Sequence, residues 1–224
     1  MPQTPTVIVF DVNETLSDLS PMADRFADIG VDRYLAAQWF AMLLRDGFAL
    51  TAAGGSEKFA VLGEQTLLTM LSGRDLDRDI TDAVSHVMDG FMALPVHPDV
   101  AAGVRELRAA GYRLITLTNG SVAVADSLFA RAGIGGEFEA LLSVEDAGAW
   151  KPARRAYQYA AMRCDVDLAD LLLVAVHPWD IDGAARAGLS TVWVNRTGAS
   201  YPAFFTPPTH TVSGLTDLAG LLPS

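Results

Sequence analysis

Side chains suited to acid–base and nucleophilic work gather in four short polar stretches of this 224-residue sequence. Asp11-Val12-Asn13-Glu14-Thr15 follows the apolar run Val7–Phe10, and Thr118-Asn119-Gly120-Ser121 follows the run at 114–117. Lys151-Pro152 stands in a loop after Val144, and His177-Pro178-Trp179-Asp180-Ile181-Asp182 follows the run at 171–176. Each has a plain structural reading by itself. An aspartate after a strand commonly caps a helix, Thr-Asn-Gly is turn chemistry, and a single lysine usually sits in solvent. Four such stretches at the ends of one sheet are harder to dismiss. In an open parallel sheet, residues just past the carboxyl ends of the strands share one crevice, so these four are expected to meet.

The elements that must position them are legible as apolar runs. Residues 7–10, 114–117, 171–176 and 191–194 read as buried parallel strands bounded by polar or turn residues, with 140–144 a weaker fifth. Helical patterns alternate with them at 121–132, closed by Gly133, at 154–162, and at 184–187, stopped by Gly188. The alternation predicts an α/β fold, a doubly wound parallel sheet with a Rossmann-like core. Between about Ser20 and Leu94 it breaks, leaving only helical patterns at 33–44, 57–71 and 79–93. That stretch ends in the two-proline segment Leu94-Pro95-Val96-His97-Pro98 and reads as an inserted all-helical cap. The expected division is 1–18 plus 96–224 for the α/β core and 19–95 for the cap. A cap can close over a cleft and keep water from reacting atoms.

Composition narrows the partners. Sixteen Lys and Arg against 27 Asp and Glu give a net charge of −11 at pH 7, with a pI near 4.6. Such a surface repels nucleic acid and anionic membranes. A small anionic substrate stays compatible with it, because a few cations in a cleft outweigh distant charge. Half the residues are hydrophobic, which excludes disorder and supplies a core. The single cysteine, Cys164, can form no internal disulfide and reads as a small buried hydrophobe. Met1-Pro2-Gln3-Thr4-Pro5 lacks the basic start and long apolar run of a signal peptide, and the run at 171–176 is far short of a membrane span. A cytoplasmic protein is the expectation. His86, His97 and His210 are too scattered for a metal site, and neither a dinucleotide fingerprint nor a P-loop occurs. The tail from Thr206-Pro207-Pro208 to Ser224 shows no chemistry.

Asp11 with Thr15 four residues on, Thr118-Asn119, Lys151-Pro152 and the Asp180 stretch resemble the four motifs of the haloacid dehalogenase superfamily. The inserted helices resemble its helical-cap branch. More closely, Thr118-Asn119-Gly120-Ser121, Lys151-Pro152 with Tyr157, Trp179-Asp180 followed by Gly183-Ala184, and Asn195-Arg196-Thr197-Gly198 resemble the type II L-2-haloacid dehalogenases. The likeness runs from about Val7 to Gly198. It implies hydrolysis of short 2-haloalkanoic acids to 2-hydroxy acids through a covalent aspartyl ester.

The resemblance also implies roles. Asp11 would be the nucleophile, positioned by Thr15, with Lys151 keeping it ionised and supporting oxyanion charge. Asp180 would orient or deprotonate the hydrolytic water. Thr118 and Asn119 would hold the substrate carboxylate, and Arg45 on the cap would receive the halide. The bland reading of Arg45 is a surface residue paired with Asp46. Phe59 and Trp179 would wall the halogen and alkyl group, or simply pack in the core. Tyr157 would donate its hydroxyl toward Lys151 or Asp180. A homodimer fits the family.

This chain departs from the pattern in places. Asn13 stands where superfamily phosphatases carry a second aspartate as general acid; an amide cannot supply that proton, and a halide leaving group needs none. Many type II dehalogenases have an aromatic residue and a glycine at the positions of Asn13-Glu14, and a serine and an asparagine at those of Ala175 and His177. His177 is expected to support Asp11 or Asp180 by a hydrogen bond, or else to cap the strand end. Asp182 beside Asp180 would suit Mg²⁺ in a phosphatase, though helix capping explains it equally. No metal or cofactor is expected unless that phosphatase reading holds. The alternatives to a dehalogenase are a Mg²⁺-dependent phosphatase of a small metabolite, a hydrolase of another small acid activated at C2, and a non-catalytic binding protein. The last fits poorly with Asp11, Lys151 and Asp180 occurring together.

Overall fold

The computed structural model describes residues 6–222. Residues 1–5, read above as lacking a signal peptide, and the last two residues of the tail fall outside the described chain. Strand β1 (Val7–Phe10) leads into four helices, α1 (Met22–Ala27), α2 (Leu35–Ala52), α3 (Phe59–Leu71) and α4 (Ile80–Met92). The chain continues through α5 (Val100–Ala109), β2 (Arg113–Thr118), α6 (Val122–Arg131), β3 (Ala140–Ser143) and α7 (Val144–Ala147). It ends with α8 (Arg154–Cys164), β4 (Leu171–Ala175), α9 (Pro178–Ala187), β5 (Ser190–Val194), β6 (His210–Val212) and α10 (Leu218–Leu221).

The strands form one parallel sheet in the order β3-β2-β1-β4-β5-β6. β1 is buried along its whole length, as a strand covered on both faces must be. Alternate residues serve opposite layers: Val7, Val9, Ile115, Leu117 and Leu173 join one apolar cluster, and Ile8, Phe10, Leu114, Leu172 and Val174 the other. The chain winds outward from β1 to β3 and then returns to lay β4 on the other side of β1. The switch in direction therefore falls between β1 and β4, where open α/β sheets bind ligands. Asp11 and His177 follow those two strands and stand on either side of it.

The helices α1–α4 occupy the insertion between β1 and β2. Where the chain leaves and re-enters the sheet domain its two crossings are tied together. Ser17 pairs antiparallel with Val96, the Asp18 N–H donates to the Pro95 carbonyl at 2.8 Å, and the His97 N–H donates to the Leu16 carbonyl at 2.9 Å. Trp39 anchors the helical layer, buried with its Nε1–H on the Gly63 carbonyl at 3.0 Å and its ring edge-on to Phe91. Trp150 joins the layers: its Nε1–H donates to the Glu57 carbonyl at 3.0 Å and its backbone N–H to Thr51 Oγ1 at 3.1 Å. Among the described residues no helix is long and apolar enough to cross a membrane.

Some elements differ from the sequence expectation. α9 starts at Pro178 and not near Ala184, so Trp179, Asp180 and Asp182 sit in its opening turns and not in a loop. Proline's missing N–H is no loss there, and an acidic residue in that turn suits the helix dipole. α5, β6 and α10 were not among the expected elements. α5 carries a helical stripe at Val100, Gly103, Val104 and Leu107, but a glycine stands where an apolar side chain would mark the period. Leu215 packs on that bare backbone; an added Cβ would lie 2.7 Å from Leu215 Cβ. β6 has three residues with only Val212 buried, too short for a period to register.

Candidate active site

Asp11 leaves the end of β1 almost fully buried, its backbone N–H still paired with the Val174 carbonyl at 3.0 Å. Both carboxylate oxygens are occupied. Oδ1 accepts from Lys151 Nζ at 2.8 Å. Oδ2 accepts from Thr15 Oγ1 at 2.7 Å and meets His177 Nδ1 at 3.1 Å. Thr15 Oγ1 also accepts from the Val176 N–H at 3.0 Å, which leaves its single proton directed at Asp11.

Lys151 is completely buried and joins two carboxylates, with Nζ 2.6 Å from Asp180 Oδ2. Its backbone is clamped by Asn119, whose Oδ1 accepts from the Lys151 N–H at 2.9 Å while Nδ2 donates to its carbonyl at 3.3 Å. Lys151-Pro152 is a cis peptide. Asp180 is also fully buried, and Tyr157 donates its hydroxyl to Oδ1 at 2.6 Å. Lys151, Asp180, Thr15 and Asp11 thus meet, as expected. Thr118 and Asn119 also shape the loops around the site. The Asn119 carboxamide positions the lysine loop, and Thr118 Oγ1 accepts from the Gly120 N–H at 2.9 Å, closing the turn. Tyr157, buried behind Asp180, supports that carboxylate as expected.

His177 bridges Asp11 to Glu14, with Nε2 2.8 Å from Glu14 Oε2. Both ring nitrogens face carboxylates, which only accept when ionised, so both must carry protons. The Trp179 ring lies 4.9 Å from the imidazole, tilted 30°.

Electrostatics follow from this packing. Burial pushes the Asp11 carboxyl up, but the Lys151 ammonium and then His177 more than offset it and hold Asp11 well below the usual carboxylate range. Burial pulls Lys151 down, yet the charges of Asp11 and Asp180 leave it raised and firmly protonated. Burial disfavours charge on His177 too, and its hydrogen bonds to Asp11 and Glu14 reverse this, lifting it to about 9. Asp180 is raised, chiefly by burial, with the Asp11 charge adding and Lys151 opposing. The two aspartates are therefore driven apart, one toward permanent charge and one toward accepting a proton.

Several expected contacts lie elsewhere. Arg45 is exposed and bonds Asp46 at 2.7 Å, so the halide role does not fit it. Asp182 turns from the site to accept from Arg186 Nε at 2.9 Å and Thr206 Oγ1 at 2.6 Å. It therefore does not join Asp180 as a pair of metal ligands, and among the described residues no three His, Cys, Asp or Glu side chains are grouped to hold a metal. Phe59 stacks on Trp150 and Phe91 and, with Asn13 and Thr118, borders a small pocket of about 50 Å³. Trp179 packs between His177 and Phe48. On the other side, His177 and Glu14 line a larger, mostly apolar cleft of about 710 Å³ between α2 and the loops after β1, β4 and β5. Arg33, which pairs with Asp24, and Arg196 line it as well.

The sequence assigned no task to three further contributors, of which Arg196 was named only within its motif. Glu14 stood out only as a departure from the family, and Trp150 not at all, although it directly precedes Lys151. Arg196 donates to the Thr15 carbonyl at 2.9 Å and pairs with Asp99 at 2.9 Å, fixing the loop that carries Asp11. The remaining histidines are structural: His86 meets Asp28, His97 the Glu14 carbonyl, and His210 is exposed on β6.

A buried carboxylate at the end of the first strand, a buried lysine bridging it to a second carboxylate, and a helical insertion above the sheet define the class. The chain belongs to the haloacid dehalogenase-like hydrolases, whose family model matches residues 5–188. It is 29% identical to haloacetate dehalogenase H-2 of Moraxella sp. (strain B) over 92% of each chain. It is also 29% identical to (S)-2-haloacid dehalogenase 1 of Pseudomonas sp. (strain CBS-3), over 96% of this chain and 95% of that one. A crystal structure of a dehalogenase with an intermediate complex superposes with a TM-score of 0.92 at 27% identity, covering 100% of both chains.

Proposed function

We propose that this chain hydrolyses short 2-haloalkanoic acids to 2-hydroxy acids, using Asp11 as nucleophile and no metal ion. The observation that carries this reading is the buried Lys151 ammonium, bonded at once to Asp11 and Asp180, in a site where Asn13 provides no second acid. The names of the haloacetate and (S)-2-haloacid relatives support the substrate class. Asp11 attacks C2 opposite the halogen, halide departs with the bonding pair, and C2 inverts as the ester forms. Halide needs no proton on leaving, so an amide at position 13 is no handicap. Asp180, with its raised pKa, then accepts a proton from the water that attacks Cγ of Asp11. Metal independence is supported by Asp182 facing Arg186 and by Lys151 standing between the two carboxylates a cation would need.

The test is halide release from L-2-chloropropionate and fluoroacetate with EDTA present. Release by the wild-type chain that vanishes in Asp11→Asn is the expected result. No halide, together with Mg²⁺-dependent phosphate release from a panel of phosphate esters, would overturn the reading in favour of a phosphatase.

A further inference from the structure

The mechanism above leaves the Glu14–His177 pair without a chemical task. Its construction is specific. Glu14 holds a φ of +62°, a backbone region uncommon for a side-chain-bearing residue and worth reading as a functional constraint. Three contacts hold it there. His97 Nε2 meets its carbonyl at 3.0 Å, its N–H donates to Ser17 Oγ at 3.3 Å, and its carboxylate meets His177 at 2.8 Å. The other nitrogen of His177 is aimed at Oδ2 of Asp11, the same oxygen that Thr15 approaches.

We propose that Glu14 and His177 together supply the oxyanion donor for hydrolysis of the Asp11 ester. Glu14 keeps both imidazole nitrogens protonated, and the imidazolium acts with Thr15 on the charge that forms at Oδ2. The inference rests on the covalent reading given above. Oδ1, on the Lys151 side, attacks C2 and becomes the ester oxygen, so Oδ2 becomes the carbonyl oxygen. Water adds to Cγ, its proton passes to Asp180, and the carbonyl pair moves onto Oδ2. The Thr15 hydroxyl and His177 Nδ1–H already stand 2.7 and 3.1 Å from that atom, the spacing an oxyanion hole requires. The pair then returns to re-form the carbonyl, the Cγ–Oδ1 bond breaks, and the departing alkoxide takes the proton from Asp180. Oδ1 leaves in the 2-hydroxy acid, the water oxygen replaces it on Asp11, and the second water proton passes to solvent as Asp11 ionises again.

The groups that set the charge of His177 are few. Asp11 and Glu14 touch it directly. One residue further lie Lys151 on Asp11, His97 on the Glu14 carbonyl and Arg196 on the Thr15 carbonyl. Asp18 and Arg33 stand elsewhere on the walls of the larger cleft. Trp179 covers a ring face and is neutral. Glu14 is the partner that can be changed without touching the nucleophile, and its side chain is 42% exposed, so Glu14→Gln should fold.

Single-turnover kinetics on the full chain, reading halide release and the aspartyl ester by mass spectrometry across pH, test the proposal. In Glu14→Gln the halide burst should persist while the ester accumulates. In the ester Asp11 carries no charge, so Glu14 is the carboxylate that still holds the second proton on His177, and Glu14→Gln removes it. An imidazole returned to its ordinary value is about 3% protonated at pH 8, so ester hydrolysis at that pH slows by roughly tenfold. The basic limb of that step moves to lower pH accordingly. His177→Asn, a donor that does not titrate, should remove the limb. Equal losses in both half-reactions, or a basic limb that stays in place in Glu14→Gln, would overturn the proposal while leaving the dehalogenase intact. No halide from the wild-type chain on any 2-haloacid would bring down the covalent reading and this inference with it.

Discussion

Replacing Gly47 by alanine sets two known effects against each other at the seam between cap and core. Gly47 lies inside α2, where alanine is worth about 1 kcal/mol more than glycine in helix propensity. Against this, an added Cβ would lie 2.5–2.8 Å from three carbons of the Trp150 ring. That ring is 1% exposed, hydrogen-bonded to the Glu57 carbonyl and stacked on Phe59 at 6.0 Å, so it cannot swing aside as a flexible chain would. Overpacking a filled site costs about 1–3 kcal/mol, and a rigid, anchored ring places this case at the upper end. The net loss is about 2 kcal/mol, a fall in Tm of about 4–8 °C for a chain of this size. Because Trp150 precedes Lys151, turnover should fall as well. Gly63→Ala in α3 is the comparison. Its Cβ would meet only the mobile ends of Leu43 and Met88, at 3.3 Å, so helix propensity should prevail and Tm hold or rise. Thermal unfolding followed by circular dichroism decides it. A Gly47→Ala chain melting at or above the wild type would refute the packing argument.

Other consequences follow from the site. Asp180→Asn should still release about one halide per chain but slow ester breakdown by roughly 10²–10⁴-fold, leaving an adduct visible by mass spectrometry; equal loss of both steps would contradict the assignment. Arg45→Ala should stay within about twofold of wild-type kcat/KM, since the side chain is exposed and bonds only Asp46; a tenfold loss would restore it to the halide site. His177 has a folded-state pKa of about 9, above its unfolded value. Its contribution to stability is therefore complete below about pH 6.5 and lost as pH rises through 9. Urea midpoints should fall from pH 7 to 9.5, and less so in His177→Asn; a rise over that range would contradict the sign.

The fold was legible where burial makes the pattern blunt. β1 and β4 are uninterrupted apolar runs because helices cover both their faces, and their alternation with helical stripes leaves few topologies besides a parallel sheet. Residue types at the strand ends were legible too, but not what each side chain touches. Asn119 was recognised and its partner was not, because that partner is the backbone of Lys151, 32 residues on. Arg45 fails for a geometric reason. α2 turns Ala36, Ala37, Phe40, Ala41 and Leu44 to the cleft, and Arg45 lies beyond the edge of that arc, about 40° past Ala41 round the axis. Trp150 gives no signal by itself, since its task depends on a bare glycine 103 residues earlier.

The contacts also explain why a protein with a net charge of −11 can present a strongly ionised nucleophile. Glu14, His177, Asp11, Lys151 and Asp180 form one chain of touching groups with alternating charge, and Asp11 is its centre. Each cation beside Asp11 is balanced from behind by another carboxylate, so neither is an uncompensated buried charge. In the proposed reaction the ester is neutral, and the two inner cations lose the anion they share. Attack of water returns a negative charge to the same atoms. The surroundings that suit the resting carboxylate therefore suit the tetrahedral oxyanion and not the ester between them. Interactions stronger in the transition state than in the state before it are those that accelerate a step. On this reasoning, a site arranged around ionised Asp11 favours the second half of the reaction as much as the first.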